Sequence, residues 1–164
     1  QCQRISIARA LTVNPEILIC DEPVSALDVS VQAKILNLLE DMKARYDLSL
    51  VFISHDLSVV RNVSDRVVVM YLGKLCEVGD ADRLYEAPAH PYTRALLASA
   101  PEPAQSVGVG DAVLGDEIPS PTDPPSGCRF RTRCPLAIEK CATEEPQMQQ
   151  LDGDHFVACH LPRV

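Results

Sequence analysis

Two short apolar runs, Ile17-Leu18-Ile19-Cys20 and Leu50-Val51-Phe52-Ile53, flank a long stretch with helical spacing. That order restricts the fold more than any other feature. In the intervening stretch Val31, Ile35, Leu38, Leu39 and Met42 recur at the interval of one helix face, with Lys34, Asp41 and Lys43 outside it. A strand–helix–strand alternation predicts a parallel α/β layer structure, with functional groups at the carboxyl ends of the strands. The runs are continuous rather than alternating, which predicts strands covered on both faces.

Flanking elements extend the pattern. Residues 1–13 read as a helix with Ile5, Ile7, Ala8 and Leu11 inward, stopped by Asn14-Pro15. Asp28 or Ser30 can cap the long helix, and Asp56 a short one after the second run. Residues 66–71 and 74–78 read as strands joined at Leu72-Gly73, a hairpin turn. Short helices are expected over residues 80–85 and 92–100. Pro91 stands near a first helical position, and His90 before it reads as structural. Residues 101–127 hold six of the 13 prolines and four of the seven glycines, which predicts an extended connector. Residues 128–164 form a cysteine-bearing module too short for a core of its own. The expected divisions are therefore 1–87, 88–127 and 128–164.

Composition excludes several classes. At 46% hydrophobic residues a core is within reach, but aromatics are 4% and Trp is absent, so that core must be aliphatic. A formal net charge of −8 speaks against nucleic acid as a partner and against anionic membrane surfaces. No apolar run approaches the roughly 20 residues of a membrane helix. The start is polar, lacks Met and carries no signal-peptide pattern, as expected of a fragment opening inside a helix. Of seven cysteines, an odd number, Cys2, Cys20 and Cys76 are scattered through the apolar half, which suits a reducing compartment.

The chemistry concentrates after the first run, in Asp21-Glu22-Pro23. A carboxylate fixed at a strand end suits Mg²⁺, a hard cation that keeps several waters. A second carboxylate one residue on points elsewhere and can orient a water against a phosphate. The plain alternative is an acidic turn. His55, at the end of the second run, could hydrogen-bond a phosphate oxygen and a water together; its plain alternative is a solvent-facing histidine.

With their order and spacing, these segments resemble the ATP-binding cassette ATPases. Residues 17–23 look like the Walker B strand, Ser25-Ala26-Leu27-Asp28 like the D-loop, and Ser54-His55-Asp56 like the switch histidine. Residues 1–11, opening Gln1-Cys2-Gln3-Arg4, look like the end of the signature motif and its helix. The resemblance implies the carboxyl-terminal half of a P-loop (RecA-like) cassette ATPase domain. Residues 19–33 and His90-Pro91-Tyr92-Thr93-Arg94 are similar to ATPase subunits of oligopeptide and dipeptide importers, and Met70-Tyr71-Leu72-Gly73 to the F-type member of their paired D and F subunits. Related importers of nickel or other small solutes share much of this.

By position, the resemblance implies that Asp21 holds Mg²⁺ through water, that Glu22 is the catalytic base and that His55 contacts the γ-phosphate of ATP. Ser25 and Asp28 would communicate across the ATPase dimer, and Gln1 would end the signature motif facing ATP on the partner. Implied partners are a D-type ATPase subunit, two transmembrane permease subunits and, indirectly, an extracytoplasmic solute-binding protein, at the cytoplasmic face of the membrane. No Gly-x-x-x-x-Gly-Lys-Ser/Thr segment occurs in the sequence, so the chain alone is expected not to hydrolyse ATP.

Cys128, Cys134, Cys141 and Cys159 stand with five, six and 17 residues between them. Thiolates are soft ligands for zinc or iron–sulfur clusters, though the spacing lacks the close pair usual for structural zinc. Free or paired thiols are the plain alternative. Residues 125–135 resemble the carboxyl-terminal extension of the same importer ATPases, which implies a four-iron four-sulfur (4Fe–4S) cluster, with zinc second. Arg129, Arg131 and Arg133 could offset its charge or form a solvated basic stretch; His160 reads as a bystander. Two other functions stay open: a redox or iron-responsive module on a cassette scaffold, and a non-transport cassette ATPase.

Overall fold

The computed structural model describes residues 2–99 and 118–162, so Gln1 and most of the expected connector lie outside the described residues. The chain is mixed α/β and divides into two compact units, residues 1–64 and 65–164. The strands after residue 64 pair with the carboxyl-terminal segment, which puts both in the second unit.

Unit one runs α1 (Cys2–Leu11), β1 (Ile17–Asp21), α2 (Val29–Tyr46), β2 (Ser49–Ile53) and α3 (Leu57–Val63). β1 and β2 are parallel, in register from Ile17 opposite Ser49 to Asp21 opposite Ile53. The long helix supplies the crossover that a parallel pair requires. Asp28 caps α2 by accepting the Val31 N–H, and Asp47 closes it in a left-handed conformation. Asp56 caps α3 through the N–H groups of Ser58 and Val59.

The core of unit one is aliphatic: Ile7, Leu18, Cys20, Val24, Ile35, Leu39, Met42 and Val59. Two expectations need correction. In α1, Ile7 is buried and Ala10 and Leu11 pack beside it, while Ile5 and Ala8 are exposed. The strands are covered on one face only. Ile17, Ile19, Val51 and Ile53 are exposed, because the helices gather on the Leu18 and Cys20 side.

Unit two is an antiparallel sheet in the order β3-β4-β6-β5, with β3 (Arg66–Tyr71), β4 (Lys74–Asp80), β5 (Gln149–Asp152) and β6 (His155–Val157). Leu72 and Gly73 both have positive φ, the backbone of a tight hairpin turn. Among its described residues are three short helices, α4 (Ala81–Glu86), α5 (Pro91–Ala98) and α6 (Lys140–Thr143). His90 caps α5, its Nδ1 accepting the Tyr92 N–H at 3.0 Å.

Phe130, at 2% exposure, packs with Tyr71 and Cys76 and touches Tyr92. The cysteine-bearing segment therefore shares its core with the hairpin instead of standing beside it. Gly127 fixes how that segment enters. Its φ is +62°, and an added Cβ would meet the carbonyls of Cys141 and Ala142, which are backbone and cannot rotate away. Gly127→Ala is expected to destabilise unit two by about 1–3 kcal/mol from strained backbone and overpacking. Thermal melts of the two chains check this; equal midpoints would refute it.

Candidate functional site

Asp21 closes β1, and the next residue is pinned by the neighbouring strand: the Glu22 N–H donates to the Ile53 carbonyl at 2.9 Å. Glu22 then turns into the left-handed region at φ +47°, a conformation that costs a residue with a Cβ about 1–2 kcal/mol. Buried Val24 anchors the turn, and the Ser25 hydroxyl donates to the Glu22 carbonyl at 3.2 Å.

β2 ends opposite, and His55 follows two residues later. Its Nδ1 lies 2.8 Å from Glu22 Oε1. The carboxylate can only accept, so Nδ1 carries the proton. Glu22 Oε2 is buried with no hydrogen-bond partner among the described residues. The imidazole side chain is 78% exposed, so the pair is open to a ligand arriving at the strand ends. Asp21 is exposed at the same edge.

The Glu22 hydrogen bond, reinforced by its charge, raises the His55 pKa above the usual histidine value. The pairing therefore favours the folded state below about pH 6.5, and its contribution fades as pH rises through the higher folded pKa. In Glu22→Gln the His55 titration followed by NMR is expected to move down toward that ordinary value. An unmoved titration would show that Glu22 does not govern His55.

Two other expected site residues have evident local tasks. Asp28 accepts from Val31 N–H at 2.9 Å and from the Ser30 hydroxyl at 2.7 Å. The Ser30 hydroxyl, then the Val31 N–H, hold its carboxyl below the usual range. Ser25 is exposed on the turn before it.

In unit two Cys128, Cys134, Cys141 and Cys159 line one small cavity together with His160 and Phe130. The Cys128 N–H donates to the Cys141 carbonyl at 2.8 Å, which joins two of the four directly. Burial raises the thiol pKa of Cys128, Cys134 and Cys159, the last to about 11, and the neighbouring cysteines push in the same direction. Burial thus favours the protonated form of these thiols. Among the described residues, no three His, Cys, Asp or Glu side chains stand as a ready metal-holding group. His160 is engaged elsewhere, with Nε2 3.0 Å from the Glu144 carbonyl oxygen.

Sequence reasoning missed a buried polar centre. Glu77, fully buried in β4, accepts from Ala89 N–H at 2.7 Å and His90 N–H at 2.9 Å. His155 Nε2 lies 2.7 Å from its Oε1. The available signal was a lone Glu beside Cys76 and Val78 in a strand pattern. Its partners are 12 to 78 residues away in the chain and left no local trace.

Residues 76–141 match the family described as the oligopeptide/dipeptide transporter, C-terminal region. The chain is 54% identical over 159 residues to a putative peptide import ATP-binding protein of Brucella ovis, covering 97% of this chain and 50% of that protein. It is 55% identical over 163 residues to the oligopeptide transport ATP-binding protein AppF of Bacillus subtilis, covering 98% and 50%. It is 51% identical over 161 residues to the oligopeptide transport ATP-binding protein OppF of Haemophilus influenzae, covering 97% of this chain and 48% of that protein. The chain thus spans about half the length of the curated relatives it matches.

Proposed function

The chain is a homologue, over nearly its whole length, of the ATP-binding proteins of oligopeptide/dipeptide transporters, and on that premise we propose that it is part of an ATP-hydrolysing subunit that energises import of oligopeptides or dipeptides. The observation that carries this reading is the Glu22–His55 hydrogen bond at the carboxyl edge of β1 and β2, with Asp21 beside it.

In this reading Glu22 holds and deprotonates the attacking water, while His55, doubly protonated, keeps Glu22 aimed through Nδ1–H and donates through Nε2–H toward the terminal phosphate. Asp21, an exposed carboxylate at a strand end, fits the hard-oxygen donor that Mg²⁺ prefers. The ion, when bound, supplies charge neutralisation at the phosphates. Ser25 and Asp28 communicate with a second, D-type ATPase subunit, Gln1 ends a signature motif that serves the partner's ATP, and turnover is coupled to two permease subunits and through them to an extracytoplasmic solute-binding protein. No helix among the described residues is long and apolar enough to cross a membrane. That accords with a peripheral subunit held at the cytoplasmic face by its partners. The phosphate-cradling loop absent from this sequence belongs, in this reading, to the remainder of the protein, so the chain alone is inactive.

The experiment is uptake of a labelled dipeptide by cells that carry the full-length protein and its membrane partners. Uptake that needs ATP and is lost in His55→Ala supports the proposal. Unchanged uptake in that variant overturns it.

The four thiols lining one cavity favour an additional reading, that Cys128, Cys134, Cys141 and Cys159 hold a 4Fe–4S cluster. Such a cluster supplies a one-electron redox centre when bound. The residues fit it in donor type and share one cavity, but among the described residues no three of them stand as a ready metal-holding group, so they would have to close in to hold it. Holding it requires loss of the thiol protons that burial now retains. Iron and sulfide analysis of anaerobically purified protein tests this, and stoichiometric zinc without iron would overturn it.

A further inference from the structure

Unit two contains a second cavity that the ATP chemistry does not use and that shares Cys128, Phe130 and His90 with the cysteine-lined one. Its volume is about 230 Å³, just below the range of drug-sized sites and enough for a very small molecule. Its walls include the rings of Tyr71 and Phe130 and the sulfur-bearing side chains of Cys76 and Met148; Lys74 and Glu145 also line it.

Two features point to a ligand. The Tyr71 hydroxyl is buried without a hydrogen-bond partner among the described residues, an unsatisfied state that buried polar groups rarely keep. Two charged side chains on the same wall come as an adjacent pair, with Lys74 Nζ 2.7 Å from Glu145 Oε1. Both side chains are close to half exposed, so the ion pair contributes little and is readily exchanged. The other charged group on the wall, the Arg129 guanidinium, is occupied by the Leu72 carbonyl. Burial keeps the His90 imidazole neutral.

We propose that this cavity binds a free α-amino acid with an apolar side chain. Such a molecule carries its ammonium and carboxylate on one carbon, side by side like the charges of Lys74 and Glu145. Its carboxylate takes Lys74 and the Tyr71 hydroxyl, its ammonium takes Glu145, and its side chain lies against Phe130 and Met148. A peptide separates its two charges along its length and cannot exchange with both partners at once. An uncharged apolar molecule fills the floor but leaves the ion pair closed.

Calorimetric titration of the chain with leucine tests this, with N-acetyl-leucinamide and leucylleucine as comparators. Saturable binding of leucine at millimolar concentration is expected, weakened about tenfold or more in Lys74→Gln and in Glu145→Gln. Both residues are at the surface, so these variants should fold. Tyr71→Phe is expected to weaken binding severalfold. The proposal is overturned if leucine gives no saturable heat, if either comparator binds as well as leucine, or if both rim variants bind like the unaltered chain.

Discussion

Glu77→Gln is expected to destabilise unit two by about 3–5 kcal/mol, the scale for breaking a buried charged hydrogen-bond centre. The carboxylate is fully buried and faces three donors: the N–H groups of Ala89 and His90 and the His155 imidazole. A glutamine amide has one oxygen and one NH₂. Turned one way its NH₂ meets the His90 N–H; turned the other, it meets the Ala89 N–H and His155. Either way donor confronts donor, and buried polar groups are left unsatisfied. Chemical denaturation of both chains measures the difference, and a change within about 0.5 kcal/mol, the scale of a neutral surface substitution, would refute it. The same centre predicts acid sensitivity. Burial pushes the His90 pKa down to about 4, against a weaker opposing pull from Glu77. The unfolded chain therefore takes up the proton first, and stability falls as pH drops from about 6.5 toward 4.

In the full-length protein, Glu22→Gln is expected to leave ATP binding intact and to lower turnover by about 10²–10⁴-fold, the range for losing a general base. The substitution keeps the side chain's shape and its place after β1, and removes only the proton acceptor. Rapid-quench measurement of phosphate release alongside nucleotide binding separates the two effects. Turnover within twofold of the unaltered protein would remove Glu22 from the mechanism, while loss of nucleotide binding would recast it as a binding residue.

The long amphipathic helix, both parallel strands and the 66–80 hairpin were legible in the sequence because each depends on its own periodicity and caps. β5 and β6 were not. Gln149-Gln150-Leu151-Asp152 has no strand-like alternation, and these strands exist because β4 offers them a partner edge. The exposed apolar face of β1 and β2 was equally invisible, since a continuous run shows only that both faces can be covered. At the candidate site, residue types and spacing placed Asp21, Glu22 and His55 at one edge. They did not reveal that Glu22 and His55 touch, or that Glu22 sits at positive φ. Those follow from the Glu22 N–H bonding to Ile53 on the other strand, which no local pattern records.

That backbone conformation has a consequence for how such chains diverge. At φ +47° folding alone would select glycine or asparagine at position 22. In the proposed function, a glutamate is retained there for its part in hydrolysis. A gene copy released from that duty should exchange Glu22 early, and gain stability by doing so. Position 22 can therefore be scored as a marker that separates working copies from decaying ones.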